Sequence, residues 1–203
     1  METIKLYEPS DDKTIYFKDL INKRHTVRDF KDTAISVEDL SYVLWAAYGF
    51  KKDGGRTVPS AGALYPLNIY IACGKLEVKK GEHAPNGLYA YEPYKHGLIL
   101  IKGEDLRSKI ARASLSQMWM AHAPCTIIIT CEYSRITIKY RERGIRYAHM
   151  EAGNVSQNIA LAAFNRGLAC GIVGAFNDSE VKAVLGIKET HEPLLLMPVG
   201  YKK

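Results

Sequence analysis

The segment GIRYAHMEAGNVSQNIALAAFNR, residues 144–166, reads as one long helix closed by Gly167. Ala152, Gly153, Ala160, Ala162 and Ala163 put small residues on several of its sides, so neighbouring backbones can approach closely. A helix apolar around much of its circumference has to be buried on more than one face. In a domain of this size, one such face is left for a second subunit.

The elements around this helix alternate in type. CTIIITC (125–131) is a continuous apolar run between Pro124 and a charged segment, the pattern of a central strand buried on both faces. LNIYIAC (67–73) predicts a strand by its β-branched and aromatic content, GLYAYEPYKHGLILIKG (87–103) a hairpin turning at Pro93 to His96, and EPLLLMPVGYKK a strand at 193–199. SVEDLSYVLWAAYGF predicts a helix over about 36–48, because acidic residues follow Ser36 and Val37, Leu40, Val43, Leu44 and Ala47 form one stripe before Gly49. TIYFKDLINK (14–23) predicts a short helix, 104–121 one or two helices, and KKDGGRTVPSAGALYP (51–66) a loop. No internal repeat or low-complexity stretch interrupts the series, and the mixture of hairpin, strands and helices predicts a single α+β sheet-and-helix sandwich.

With 203 residues, 47% of them apolar, the chain is long enough for a packed core. A net charge of +6 favours acidic or phosphorylated partners without fixing the fold. No apolar run is long enough to span a bilayer, and METIKLYEPSDDKT lacks the order of a signal peptide, so a cytoplasmic protein with no membrane partner is expected. Cys73, Cys125, Cys131 and Cys170 stand apart in apolar contexts, and the histidines at 25, 83, 96, 122, 149 and 191 show no paired spacing; no metal is expected. A resident dinucleotide on a Rossmann fold, an NTPase and the common hydrolases are disfavoured, since no G-x-G-x-x-G, G-x-x-x-x-G-K-[ST], H-E-x-x-H or G-x-S-x-G occurs.

Three stretches carry chemistry. In NKRHTVRDF (22–30), Arg24 and Thr26 can reach one anion, and Arg28 adds a fixed charge four residues on; a solvated turn and a nucleic-acid patch explain the same residues. Pro59, Ser60, Ala61, Gly62 and Ala63 leave little side-chain bulk, so backbone groups can meet a flat polar ring at close range, unless the stretch is a plain connection. GLACGIVGAFND (167–178) offers Gly171, Gly174 and Ala175, which suit exposed amides and tight packing equally.

The order R-H-[ST]-x-[RK]-x-F, then P-S-A-G-x-L-Y-P, then EAGNVSQNIALAA, a G-x-x-G-A-F turn and a final PVGY resembles the FMN-dependent nitroreductase superfamily over residues 20–201. PSAGALYP and KYRERGIRYAHMEAGNVSQN are most similar to its SagB-type branch, which includes azoline oxidases. The resemblance implies a nitroreductase-like sandwich of a mixed, largely antiparallel sheet with flanking helices, one domain over 1–203 with an embellishing hairpin at 81–103, in an intertwined homodimer. It implies that Arg24, His25 and Thr26 hold the phosphate and ribityl region of FMN, that Arg28 lies near the N1/C2=O edge, and that Pro59 to Ala63 arrive from the other subunit. Val173, Gly174 and Ala175 would face N5, Lys202 or Lys203 would join the phosphate shell, and Gln117 would make a polar flavin contact. The implied activity is hydride transfer from NADH or NADPH through flavin N5 to a small electron acceptor in a ping-pong cycle.

Ala63 replaces the Asn of commoner nitroreductases, and Lys139 and Tyr140 resemble a Lys-Tyr pair of azoline oxidases, although surface roles on a basic segment explain them as well. A free-standing reductase is expected ahead of a peptide-maturing oxidase. The competing class is a non-enzymatic module binding nucleic acid through the basic segments 23–28 and 135–146.

Overall fold

The computed structural model describes residues 3–9 and 16–203. In chain order the elements are β1 (Thr3–Lys5), α1 (Phe17–Lys23), β2 (Ile35–Ser36), α2 (Val37–Tyr48), β3 (Leu67–Cys73), β4 (Leu76–Lys79), β5 (Glu82–His83), β6 (Gly87–Glu92), β7 (Gly97–Lys102), α3 (Arg107–Ala113), β8 (Cys125–Cys131), α4 (Ser134–Tyr140), α5 (Arg143–Asn165), β9 (Ala169–Cys170), α6 (Asp178–Leu185) and β10 (Glu192–Gly200). Two 3-10 turns, Ala61–Ala63 and Met118–His122, complete the set.

The main sheet runs β1-β7-β6-β3-β8-β10-β9 and every pairing in it is antiparallel. The parallel pairing among the described residues, β2 with β4, belongs to a separate three-stranded sheet completed by β5. Strand side chains alternate between faces, so β8 splits its isoleucines: Ile127 and Ile129 enter the core under α2 and α5, and Ile128 enters the core under α3 and α6. This is why β8 reads as an unbroken apolar run. The hairpin of β6 and β7 extends the sheet through β3, with Tyr70 opposite Ala90.

Local chemistry sets the ends of the helices. Ser36 caps α2, its hydroxyl accepting from the Asp39 amide at 3.0 Å. Gly167, at φ 73°, and the Leu168 amide bonding back to Ala163 at 2.8 Å close α5. The helix expected over 14–23 starts at Phe17 among the described residues, and 14–15 lie outside them. The region 104–121 resolves into α3 and the second 3-10 turn. Strands β1, β2, β4, β5 and β9 and helices α4 and α6 were not anticipated; the strands have two to four residues each, too few for a periodic signal.

α5 packs on α2 and the sheet through Val155, Ile159 and Ala163. Its opposite face leaves His149, Met150, Gly153, Asn154 and Gln157 exposed, and a β-carbon on Gly153 would meet nothing within 4 Å.

Candidate functional site

The cationic segment 24–28 is pinned beside β9 and the C-terminus. The Val27 amide donates to the Cys170 carbonyl at 3.0 Å, Phe30 bridges Lys202, and the Lys31 amide donates to Tyr201 at 2.8 Å. These backbone bonds set segment 24–28 alongside β9 and the C-terminal residues 201–202. His25 Nδ1 lies 2.7 Å from the Lys23 carbonyl, which requires Nδ1 to carry the proton; Nε2 then accepts from the Lys202 ammonium at 3.3 Å. Arg24 lies near enough to Cys170 to favour its thiolate, although burial pushes that thiol up to about 12. Thr26 is half-buried in the same strip, and the Arg28 guanidinium stands 5.9 Å from the centre of the Trp119 ring. Lys203 is paired with Asp29 at 3.4 Å.

Trp119 connects this strip to the 173–175 turn. It packs against Gly171, where a β-carbon would come within 2.7 Å of the indole, and stacks on Phe30 at 6.4 Å. Val173 is buried and bridges Leu196, while Gly174 and Ala175 are exposed. The Gln117 amide donates to the Ala175 carbonyl at 3.0 Å and so fixes that turn. Arg24, His25, Thr26, Arg28, Gln117, Val173, Gly174, Ala175 and Lys202 thus form one neighbourhood along the β9–β10 edge.

Pro59 to Ala63 belong to a different one. The Ser60 hydroxyl accepts from the Tyr65 amide at 2.9 Å, closing the loop on itself. Gly62 stands at φ 63°, and a β-carbon there would lie 2.8 Å from the Tyr140 hydroxyl and 3.1 Å from Lys139 Nζ. The structure therefore gathers Lys139 and Tyr140 over the small-residue loop. Beneath it, Glu151 is 2% exposed and accepts from the Tyr48 hydroxyl at 2.5 Å, and the Arg56 guanidinium lies 4.2 Å from the Tyr48 ring and 4.7 Å from the Tyr65 ring. Burial raises the Glu151 carboxyl; Ser60, Tyr48 and Arg56 oppose the shift.

Backbone strain marks both neighbourhoods. Among the described residues six non-glycine residues have positive φ, and five of them, Ala63, Tyr65, Leu115, Ser116 and Arg141, flank Gly62, Gln117 or Tyr140. Such conformations cost of order 1–3 kcal/mol each and concentrate at ligand sites.

The two neighbourhoods lie towards opposite ends of α5. His25 packs on Phe164 at 5.5 Å between ring centroids, whereas Ser60 sits by Glu151. Thirteen residues of helix separate these contacts, about 20 Å at 1.5 Å per residue. The donor set of the first suits a phosphorylated planar group: Arg24, Arg28 and Lys202 have no carboxylate partner among the described residues, a hydroxyl stands between the arginines, and the 174–175 backbone is open. Reasoning from sequence missed Tyr48, Arg56, Glu151 and Asn158. The one signal available was a pair of polar residues seven apart in EAGNVSQN.

The sequence profile described as Nitroreductase family matches residues 21–201. A provisionally named nitroreductase of Methanocaldococcus jannaschii is 42% identical over 202 residues, covering 99% of this chain and 98% of that protein. The microcin B17-processing protein McbC of Escherichia coli is 27% identical over 170 residues, covering 82% of this chain and 62% of McbC. Among solved structures, a provisionally named nitroreductase from Ralstonia eutropha JMP134 superposes with a TM-score of 0.83 at 25% identity, covering 99% of this chain and 90% of that one. The profile, the Methanocaldococcus protein and the Ralstonia superposition span the strip, the loop and the helix between them, and the chain belongs to the nitroreductase family.

Proposed function

We propose that the protein is an FMN-dependent oxidoreductase that takes hydride from NADH or NADPH and delivers it, in a ping-pong cycle, to a small electron acceptor, working as a homodimer with shared sites in the cytoplasm. The observation that carries this reading is the separation of the two neighbourhoods along α5. A cofactor touching both the cationic strip and the Pro59–Ala63 loop is served best by the strip of one chain and the loop of another. The exposed face of α5, with Met150 58% exposed and Gly153 open, offers the surface for that second chain. Four free buried thiols suit a reducing compartment, and no helix among the described residues is long and apolar enough to cross a membrane.

Each residue then has a physical task. Arg24, His25, Thr26 and Lys202 bind and orient the phosphate and ribityl tail, with Lys203 at the rim. Arg28 sets a fixed cation at the N1/C2=O edge, and the Gly174 and Ala175 amides face N5, with Val173 and Gln117 holding their turn. Pro59, Ser60, Ala61, Gly62 and Ala63 cover the ring without side-chain bulk. When bound, FMN supplies the two-electron hydride chemistry that no side chain provides. Purification tests the reading: a yellow dimer whose colour bleaches with NADH or NADPH supports it, and a colourless protein that cannot be reconstituted with FMN refutes it.

A second reading has its own observation. Lys139 and Tyr140 meet over Gly62, where they would face a substrate above the ring, as in a SagB-type dehydrogenase acting on an azoline or peptide. Oxidation of an azoline-containing peptide by the FMN-loaded protein, lost in K139A and Y140F, would favour this reading over a reductase.

A further inference from the structure

Glu151 and Asn158 stand seven residues apart on α5, two turns of helix, and so share a face. Both are engaged with the segment that leads through the Pro59–Ala63 loop. The Asn158 amide donates to the Ala46 carbonyl at 2.9 Å and to the Thr57 carbonyl at 3.4 Å, tying the root of the loop to α2. Glu151 holds the other end. Its Oε1 accepts from the Tyr48 hydroxyl at 2.5 Å, and that hydroxyl in turn accepts from the Leu67 amide at 3.3 Å, where the loop becomes β3.

A buried carboxylate is an expensive way to hold one tyrosine, because a neutral amide would do so without carrying charge out of water. Glu151 has a second oxygen, and among the described residues Oε2 has no hydrogen bond of normal geometry. Besides the Tyr48 hydroxyl, that of Ser60 lies near enough to favour its charged form. Ser60 already accepts from Tyr65 through its oxygen, so its single proton remains to be directed at Glu151. The Arg56 guanidinium lies over Tyr48 at 4.2 Å, Tyr65 at 4.7 Å and Phe50 at 5.2 Å, a cation without a carboxylate bond among the described residues, and its charge favours ionised Glu151. The segment so anchored contains Gly62, Ala63 and Tyr65 at φ 63°, 53° and 48°. Left-handed residues persist only where their surroundings over-determine them.

We propose that Glu151 is the positioning residue of the Pro59–Ala63 loop: through the hydroxyls of Tyr48 and Ser60 it fixes the left-handed turn at 62–65, and thereby the surface offered to the cofactor. The cofactor half of this statement rests on the flavin reading above; the loop half does not. EAGNVSQN is then the seat of the loop on one face of α5, and its Gly153 and Asn154 lie on the exposed face.

The test uses the full chain as wild type, E151Q, S60A, Y48F and the double variant S60A/E151Q. Amide hydrogen exchange on the FMN-free protein reads the loop directly. Exchange across 60–67 should rise about tenfold or more in E151Q and Y48F, while amides of β8 and the C-terminal half of α5 keep their wild-type rates. FMN titration should show affinity falling about tenfold in E151Q, and S60A/E151Q should be no weaker than the worse single variant, the non-additivity expected of residues acting through one another. Y48F keeps the ring beneath Arg56 and removes only the hydroxyl, so it carries the test if E151Q does not fold. Unchanged loop exchange in both E151Q and Y48F, or strictly additive losses in the double variant, would overturn the proposal. Wild type that binds no FMN yet shows accelerated loop exchange in the variants would instead overturn the flavin reading and leave the positioning role standing.

Discussion

The Tyr140 hydroxyl lies 2.8 Å from the place where Gly62 would carry a β-carbon, and Gly62 itself stands at φ 63°. Substituting Gly62→Ala therefore meets two penalties, a left-handed backbone and a contact with the end of a side chain. Together they should cost about 1–2 kcal/mol. In a chain of this size that is a fall of about 2–8 °C in melting temperature. Y140F/G62A should recover part of the loss, because the phenolic oxygen goes while the φ cost remains. Differential scanning calorimetry on the three proteins checks both statements.

Arg24 and Arg28 should separate tail binding from ring tuning. Arg24→Ala is expected to weaken FMN affinity, with little change in the midpoint potential of whatever flavin stays bound. Arg28→Ala is expected to shift the midpoint to more negative values by several tens of millivolts, at about 1.4 kcal/mol per 30 mV for a two-electron couple, because a cation beside N1/C2=O favours the reduced ring. Spectroelectrochemical titration distinguishes them; an unmoved potential in Arg28→Ala contradicts its assignment.

Arg166 follows α5 and reaches back to the start of α2. Its Nε donates to Asp39 Oδ1 at 2.6 Å and its Nη2 to Glu38 Oε1 at 3.0 Å, with Arg166 4% and Asp39 6% exposed. Removing the cation leaves a carboxylate out of water, so Arg166→Met should lose about 3–5 kcal/mol of stability. D39N/R166M should lose less than Arg166→Met alone, since the buried carboxylate goes with the guanidinium and Glu38 is exposed to water. Urea unfolding of the two variants decides this.

His191 predicts a pH dependence. Its Nδ1 hydrogen-bonds with Tyr70 at 2.7 Å, its Nε2 stands 3.7 Å from Glu132, and burial holds the ring below its ordinary 6.5 despite the pull of Glu132. The unfolded chain takes up the proton first as pH falls, so this contribution is complete above about 6.5 and is lost below it until the folded ring also protonates. His96, lowered by burial between Tyr91 and the Tyr7 carbonyl, acts with the same sign. Glu151 acts oppositely: burial raises it above 4.5, so between that value and its folded pKa stability falls as pH rises. Thermal melts between about pH 7 and 5 should show H191N losing less stability on acidification than wild type.

The elements legible in the sequence are those whose information is local. β3 and β8 were readable because a strand buried on both faces has no polar alternation to confuse it, and α2 because Ser36 and the Val37–Ala47 stripe name its start and its buried side. α5 was readable to within one residue at each end because Gly167 marks its close. α4 was hidden because Ile138 is 85% exposed and cations surround it, so no apolar stripe announces a helix. The two-residue strands β2, β5 and β9 are too short for any period and exist only because neighbouring chain offers them hydrogen bonds.

The same division runs through the candidate site. Residue types by themselves specified a cationic strip, a small-residue loop and a glycine-bearing turn, because charge, side-chain volume and glycine's backbone freedom belong to each residue wherever it lies. Which of these meet was decided by the tertiary structure. Lys202 reaches His25 across 177 positions of chain and Tyr48 reaches Glu151 across 103, and the loop and the strip settle towards opposite ends of α5. Such contacts depend on how sheet and helices close over one another, and no window of sequence contains both partners.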